Sequence, residues 1–158
     1  MADVEFIDNS VKVISAINKA VNSFLEESAS ELESQVKRNS RVDFGQLKGS
    51  WDHKIFESKK EAVVGSPLEN AIWEELGTGE YALKGNGRKG AWYVPADGYI
   101  GTKRPSYNGK VVIVRVKNGK KFYKTNGKRP TRAFHNAKIT CEPRIIKHAQ
   151  DVFGGMST

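Results

Sequence analysis

The sequence predicts an α+β fold, with a long N-terminal helix packed on an antiparallel β-sheet, an extended basic β-hairpin and a C-terminal helix. Three observations predict it. Apolar residues recur at three- and four-residue steps from Ile14 to Val36, the period of an amphipathic helix. Two β-favouring runs flank Asn118-Gly119, the preferred two-residue hairpin turn. Helical spacing then returns after Pro130.

The elements follow in order. Asp8, Asn9 and Ser10 supply capping side chains before a helix over about 11–38, whose stripe is Ile14, Ile17, Val21, Phe24, Leu25, Ser28, Leu32 and Val36. A helix of this length and narrow stripe packs across a sheet and leaves surface for a second subunit. It stops in the turn-rich Asn39 to Gly45. Two strands are expected at Leu47–Glu57 and Glu61–Gly65, joined by Ser58-Lys59-Lys60. A short helix over Leu68–Leu76 has Pro67 in its first turn and Gly77-Thr78-Gly79 after it. Ala91–Val94 reads as a strand, Asp97–Gly109 as a loop, and Val111–Lys117 with Lys120–Thr125 as the hairpin. The last helical pattern holds Ala133, Phe134, Ala137 and Ile139; Pro143 interrupts it and begins another turn, which runs to Gly154-Gly155.

The 158 residues make one domain, 1–158, with a core over about 11–153, a basic β-rich hairpin insertion over about 84–128 and a disordered tail at 154–158. Hydrophobic content of 38% and charged content of 28% describe a globular chain. No apolar run is long enough to cross a membrane, and the acidic start lacks a signal-peptide pattern, so a cytoplasmic site of synthesis is expected. The net charge of +8 hides an asymmetry: residues 84–132 hold fourteen Lys and Arg against one acid, Asp97, a charge of +13, and the remainder carries −5. Such a bipolar chain faces an acidic partner with one part, either nucleic acid or the acidic part of a neighbouring copy.

Signs of catalytic chemistry are thin. Gly85-Asn86-Gly87-Arg88-Lys89-Gly90 matches the dinucleotide-loop expression, but Ala91-Trp92-Tyr93-Val94-Pro95 is a poor helix start and no βαβ unit surrounds it. His53, His135 and His148 lack ligand spacing. Glu74 and Glu75 are adjacent, so on a helix they point about 100° apart and do not form a facing acid/base pair. No serine occupies a nucleophile elbow. Cys141, the only cysteine, reads as a small buried residue. The chain is therefore read as not an enzyme, with no cofactor and no metal. Trp92, Tyr93, Tyr99, Tyr107, Phe122 and Tyr123 stand among the basic residues; they either stack on bases or cover the sheet.

Four spaced blocks carry a resemblance. Arg41 to Ser50, with Asp43, Gly45, Leu47 and Ser50, is similar to a "PVDTGxLxxS" pattern. Val64-Gly65-Ser66 and then Ala71 to Gly79, with Glu75 and Gly77, resemble "VGT…YAxYVEFGTG". Gly87 to Tyr93, with Trp92, resembles "GRKxxWxY", and Thr125 to Ala137, with Gly127, Pro130 and Phe134, resembles "TxGxxPxPFLxxA". In this order the blocks resemble the gene-ten-like tail components of phage HK-ninety-seven, a family of head–tail joining or tail-completion proteins. The sequence departs from the pattern at Arg41, Phe44, Asn70, Trp73 and Arg132.

The resemblance implies a structural virion protein of a tailed bacteriophage, forming a homo-oligomeric ring, commonly a hexamer, in the neck or at the head-facing end of the tail. Its implied partners are other neck, connector and tail-tube proteins, with DNA passing through the lumen and no membrane; assembly would take place in the host cytoplasm. Read from the residues themselves, Asp43, Gly45, Gly65 and Gly77 serve turns, and Glu75 bonds loop backbone or pairs with a basic residue of the same or a neighbouring subunit. The basic residues Arg88, Lys89, Lys117, Lys120, Lys121, Lys124, Lys128 and Arg129 face a neighbouring subunit or DNA. The alternative is a nucleic-acid-binding accessory protein that uses the same hairpin.

Overall fold

The computed structural model describes residues 8–42, 45–95, 106–107, 110–111, 113–117 and 120–156, with the strand residues from 106 to 121 as backbone only. The fold is α+β, with two long helices and three small antiparallel sheets among the described residues. Helix α1 runs Ser10–Asn39. Of the side chains expected to cap it, the Asp8 carboxylate accepts the N–H of Ser10 at 2.8 Å, whereas Asn9 makes no capping side-chain bond. Along its lower half Ala29 and Val36 are buried and Leu25 and Leu32 partly so, a 25-29-32-36 stripe at helical period. Ala29 thus takes the inward position that spacing had given to Ser28.

Residues 46–50 are helical rather than extended, which corrects the expected strand from Leu47. Gly45 precedes this turn, α2 (Gln46–Ser50), in a left-handed conformation (φ 78°), which glycine adopts without steric cost. The turn places Leu47 and Trp51, four residues apart, in the core together. Strands β1 (Asp52–Phe56) and β2 (Glu61–Gly65) then pair antiparallel, Asp52 opposite Gly65, and lie against α1. Helix α3 spans Glu69–Leu76 and stops where the Gly77 N–H bonds to Trp73 O.

Beyond it, β3 (Trp92–Pro95), β6 (Ile113–Lys117) and β7 (Lys120–Thr125) form a sheet with β7 in the middle. Lys117 pairs with Lys120 and the register shifts between Ile113 and Arg115. The pairing fits the expected two-residue connection, although Asn118-Gly119 itself lies outside the described residues. At the end of the expected loop β4 (Ser106–Tyr107) pairs with β5 (Lys110–Val111), so Val111 belongs to this pair and not to the hairpin strand expected to begin there; Asp97 and Tyr99 lie outside the described residues.

Helix α4 is continuous over Ala133–Phe153 with Pro143 inside it, which corrects the interruption expected there. Ala133, Ala137 and Cys141 are all buried and form one inward stripe, while Pro143 is exposed off that face. Packing of a continuous stripe outweighs the roughly 3 kcal/mol that an interior proline costs a helix. Gly154–Met156 continues as a 3-10 turn at the start of the tail expected to be disordered; residues 157–158 lie outside the described residues.

The core lies where α1, α2, α3 and α4 converge: Val36, Leu47, Trp51, Ala71 and Ala137, with Leu32, Leu68 and Phe134 against them. Trp51 packs on Phe134 at 5.9 Å between ring centroids. Its indole N–H donates to Ser40 Oγ at 2.9 Å, and the Ser40 hydroxyl donates to Val36 O at 2.8 Å. Among the described residues no helix is long and apolar enough to cross a membrane.

Candidate functional site

Three of the four sequence blocks meet at the root of the basic sheet. Glu75, near the end of α3, accepts the backbone N–H groups of Phe134 and His135, each at 2.9 Å. These are first-turn donors of α4 that have no partner within the helix, and a carboxylate there also suits the helix dipole. Arg132, before the helix, is in a left-handed conformation (φ 55°) and makes no side-chain cap, so the cap comes from a distant segment. Of the two roles open for Glu75, the structure shows the bond to backbone of its own chain.

Neighbouring Glu74 holds the approach to the same helix. Its carboxylate pairs with Lys128 and accepts the Thr131 hydroxyl at 3.0 Å, and its carbonyl accepts the Thr131 N–H at 2.6 Å. The two glutamates therefore grip one segment through different atoms.

Gly77-Thr78-Gly79 lies along Asn126-Gly127-Lys128. Thr78 N–H donates to Lys128 O and Glu80 N–H to Asn126 O, both at 2.9 Å, and Lys128 N–H donates to Thr78 Oγ1 at 2.9 Å. The contact leaves no room for side chains. A Cβ on Gly127 would stand 2.0 Å from Thr78 O, and one on Gly79 2.2 Å from Asn126 O and 2.6 Å from the Trp92 ring. Glu80 adds bonds from Gly90 N–H at 3.0 Å and from the Asn126 amide at 2.9 Å. After Gly90 the chain enters β3 and not a helix.

The basic residues ride on this junction. The Arg88 guanidinium lies 5.4 Å over Trp92 and that of Arg129 4.8 Å over Tyr81, cation–π distances that orient the planar groups. Lys89 and Lys124 are exposed; Lys117, Lys120 and Lys121 are placed as backbone at the closed end of the β6–β7 pair. Of the aromatics, Tyr123 is buried, Trp92 and Phe122 are half-buried, and Tyr93 is exposed. The sheet core therefore takes most of the stacking surface whose position is described.

The first block sits apart from this junction, near the core. Gly45 serves the turn that the sequence predicted, Leu47 is buried in the core, and Ser50 Oγ lies 2.7 Å from Ser66 Oγ. Gly65 differs: it is a strand residue where a Cβ would meet nothing within 4 Å, so no turn requires it. Asp43 lies outside the described residues.

Two further features have a weaker trace in the sequence. Residues 10–19 of α1 are all exposed, with Val11, Val13, Ile14 and Ile17 at 81%, 54%, 58% and 42%. α4 runs antiparallel to α1, from the bond of Asn39 to Ala133 O at 3.1 Å to the edge-on contact of Phe24 with Phe153 at 5.4 Å. There α4 ends, and the exposed start of α1, residues 10–19, overhangs by about 15 Å at 1.5 Å per residue. Below it, Glu26, Glu27 and Glu31 line a 460 Å³ groove with Arg38 and Arg144, Arg144 bonding Glu31 at 2.9 Å.

Histidines brace the acidic stretch from two sides. His148 of α4 meets Glu27 at 3.1 Å and stacks on Phe24. His53 of β1 contacts Glu33 through Nδ1 and Glu26 through Nε2 at 3.1 Å. The bonds to Glu33 and then Glu26 raise the His53 pKa above 6.5; the bonds from Lys37 and then His53 hold Glu33 below 4.5. Sequence spacing gave no sign of this cluster, since Glu33 and His53 are twenty positions apart. No protein-family model, curated protein or solved structure matches the chain.

Proposed function

We propose that this chain is a structural subunit of a tailed bacteriophage that associates with copies of itself into a ring at the head–tail junction. The observation that carries the self-association is the overhang of α1. Its exposed Val11, Ile14 and Ile17 continue the stripe that α4 and the core cover further along the same helix, and an apolar strip of this kind on a projecting helix is a protein-binding surface. A second copy is the occupant that the charge pattern favours. Residues 10–25 contain Lys12 and Lys19 and no acid, whereas Glu26, Glu27 and Glu31 flank the groove further along. The basic sheet and the acidic remainder are likewise complementary between copies. A head-to-tail contact between unlike patches generates closed rings when the rotation closes. The four-block resemblance supplies the phage setting, and the basic hairpin the contact with a neighbouring ring or with DNA in the lumen.

The experiment is the mass of the protein in solution at low and moderate salt, with and without DNA, for the natural sequence and for Ile14→Glu/Ile17→Glu. A closed oligomer without DNA is expected, reduced to a folded monomer by the double substitution. A persistent monomer that binds DNA tightly with steep salt dependence would instead establish the nucleic-acid-binding reading.

A further inference from the structure

The junction of β1 with α1 brings together a set of metal-ligating atoms. Glu33, Asp52 and His53 each offer one ligand atom, and these atoms lie within 4.8 Å of one another. Glu33 and His53 are largely enclosed, with side-chain exposures of 14% and 18%, so packing fixes two walls; Asp52 is exposed and opens the third to solvent. Lys37 bonds one oxygen of Glu33, Oε1, and the other, Oε2, faces the imidazole.

We propose that Glu33, Asp52 and His53 form a binding site for a divalent transition-metal ion of the zinc class, with Glu26 orienting the imidazole from its far nitrogen. One imidazole nitrogen and two carboxylate oxygens are a donor set that suits zinc, and three protein ligands leave a position for water. Around a tetrahedral ion with bonds of about 2.0–2.2 Å, ligand atoms stand roughly 3.3–3.6 Å apart. From separations within 4.8 Å, shifts of about 1.5 Å suffice, a displacement that side-chain rotation at an exposed Asp provides.

The surroundings match as well. Metal-ligating histidines donate their other ring N–H to a carboxylate, which fixes tautomer and orientation. Glu26 Oε1 stands 3.1 Å from His53 Nε2, where it accepts that N–H once the ion is on Nδ1; the proton displaced from Nδ1 leaves to solvent. The nitrogen ligand disfavours magnesium and calcium, which take oxygen ligands. A bound ion would tie the β1–β2 hairpin to α1 beside the acidic groove. This inference stands whether or not the chain forms rings.

The test is calorimetric titration of the whole chain with zinc chloride, repeated with Asp52→Asn, His53→Gln and the double substitution His135→Gln/His148→Gln. One ion per chain is expected. Asp52→Asn should weaken binding about tenfold or more with an unchanged circular dichroism spectrum, because Asn keeps the acceptor for the His53 N–H. His53→Gln should abolish binding, and the double substitution should leave it intact. Absence of zinc binding up to millimolar concentration, or binding insensitive to Asp52→Asn, overturns the proposal. The Asp52 variant decides the matter even if the His53 variant is poorly folded, because Asp52 is exposed.

Discussion

The carboxylate of Glu75 closes the N-terminus of α4 by accepting the N–H of Phe134 at 2.9 Å, fifty-nine residues along the chain. A cap normally comes from the residue before the helix; here α3 supplies it, so helix α4 and the α3–Gly79 turn are held as one unit.

Removing that cap is the first prediction. Glu75→Ala should lower unfolding stability by about 1–2 kcal/mol, as for other lost caps, and Glu75→Gln by less because an amide oxygen still accepts. Urea unfolding of the three proteins measures this, and equal midpoints would show that water replaces the carboxylate.

Two glycines of the family-like blocks should respond in opposite ways. Gly127→Ala drives a Cβ to 2.0 Å from Thr78 O at a backbone φ of 115° and should cost about 1–3 kcal/mol, as overpacking does, or more with the strain added. Gly65→Ala meets open space in a strand and should be neutral or stabilise by up to about 1 kcal/mol. Thermal unfolding compares the pair directly.

The buried hydroxyl of Ser40 is the partner of the Trp51 indole N–H. Ser40→Ala leaves that donor unpaired in the core and should cost about 1–3 kcal/mol, seen as a lower urea midpoint with an unchanged slope.

The His53–Glu33 contact sets a pH window. The His53 pKa is raised above 6.5, so its contribution is complete below that value and fades as pH rises through the folded pKa. The Glu33 pKa is lowered below 4.5, so its contribution is complete above that value and is lost as pH falls through the folded pKa. Stability from this pair is therefore greatest between the two ordinary values, and the urea midpoint of the natural protein should decline from slightly acid to alkaline pH. His53→Gln should flatten the alkaline decline, and an unchanged profile would refute the assignment.

Charge reversal on the hairpin addresses assembly. Replacing Lys117, Lys120, Lys121 and Lys124 with Glu should abolish self-association or the joining of heads to tails while the monomer still unfolds cooperatively. Normal particle yield from that variant would remove the hairpin from the assembly contact.

The sequence by itself determined the α+β class, the span of α1 to within a residue or two, the hairpin pairing and the left-handed turn at Gly45, because each is written in local periodicity or backbone preference. It also gave the charge split, a matter of counting. Tertiary structure decided what local rules cannot reach. Leu47 and Trp51 lie four apart, a spacing that suits a helical turn, yet only the shared core shows that it overrides the strand pattern. Pro143 stays within α4 because Ala133, Ala137 and Cys141 bury one continuous stripe. Glu75 finds the end of α4, and His53 finds Glu33, by contacts between segments that no spacing connects, since side-chain chemistry acts through distances that only packing sets.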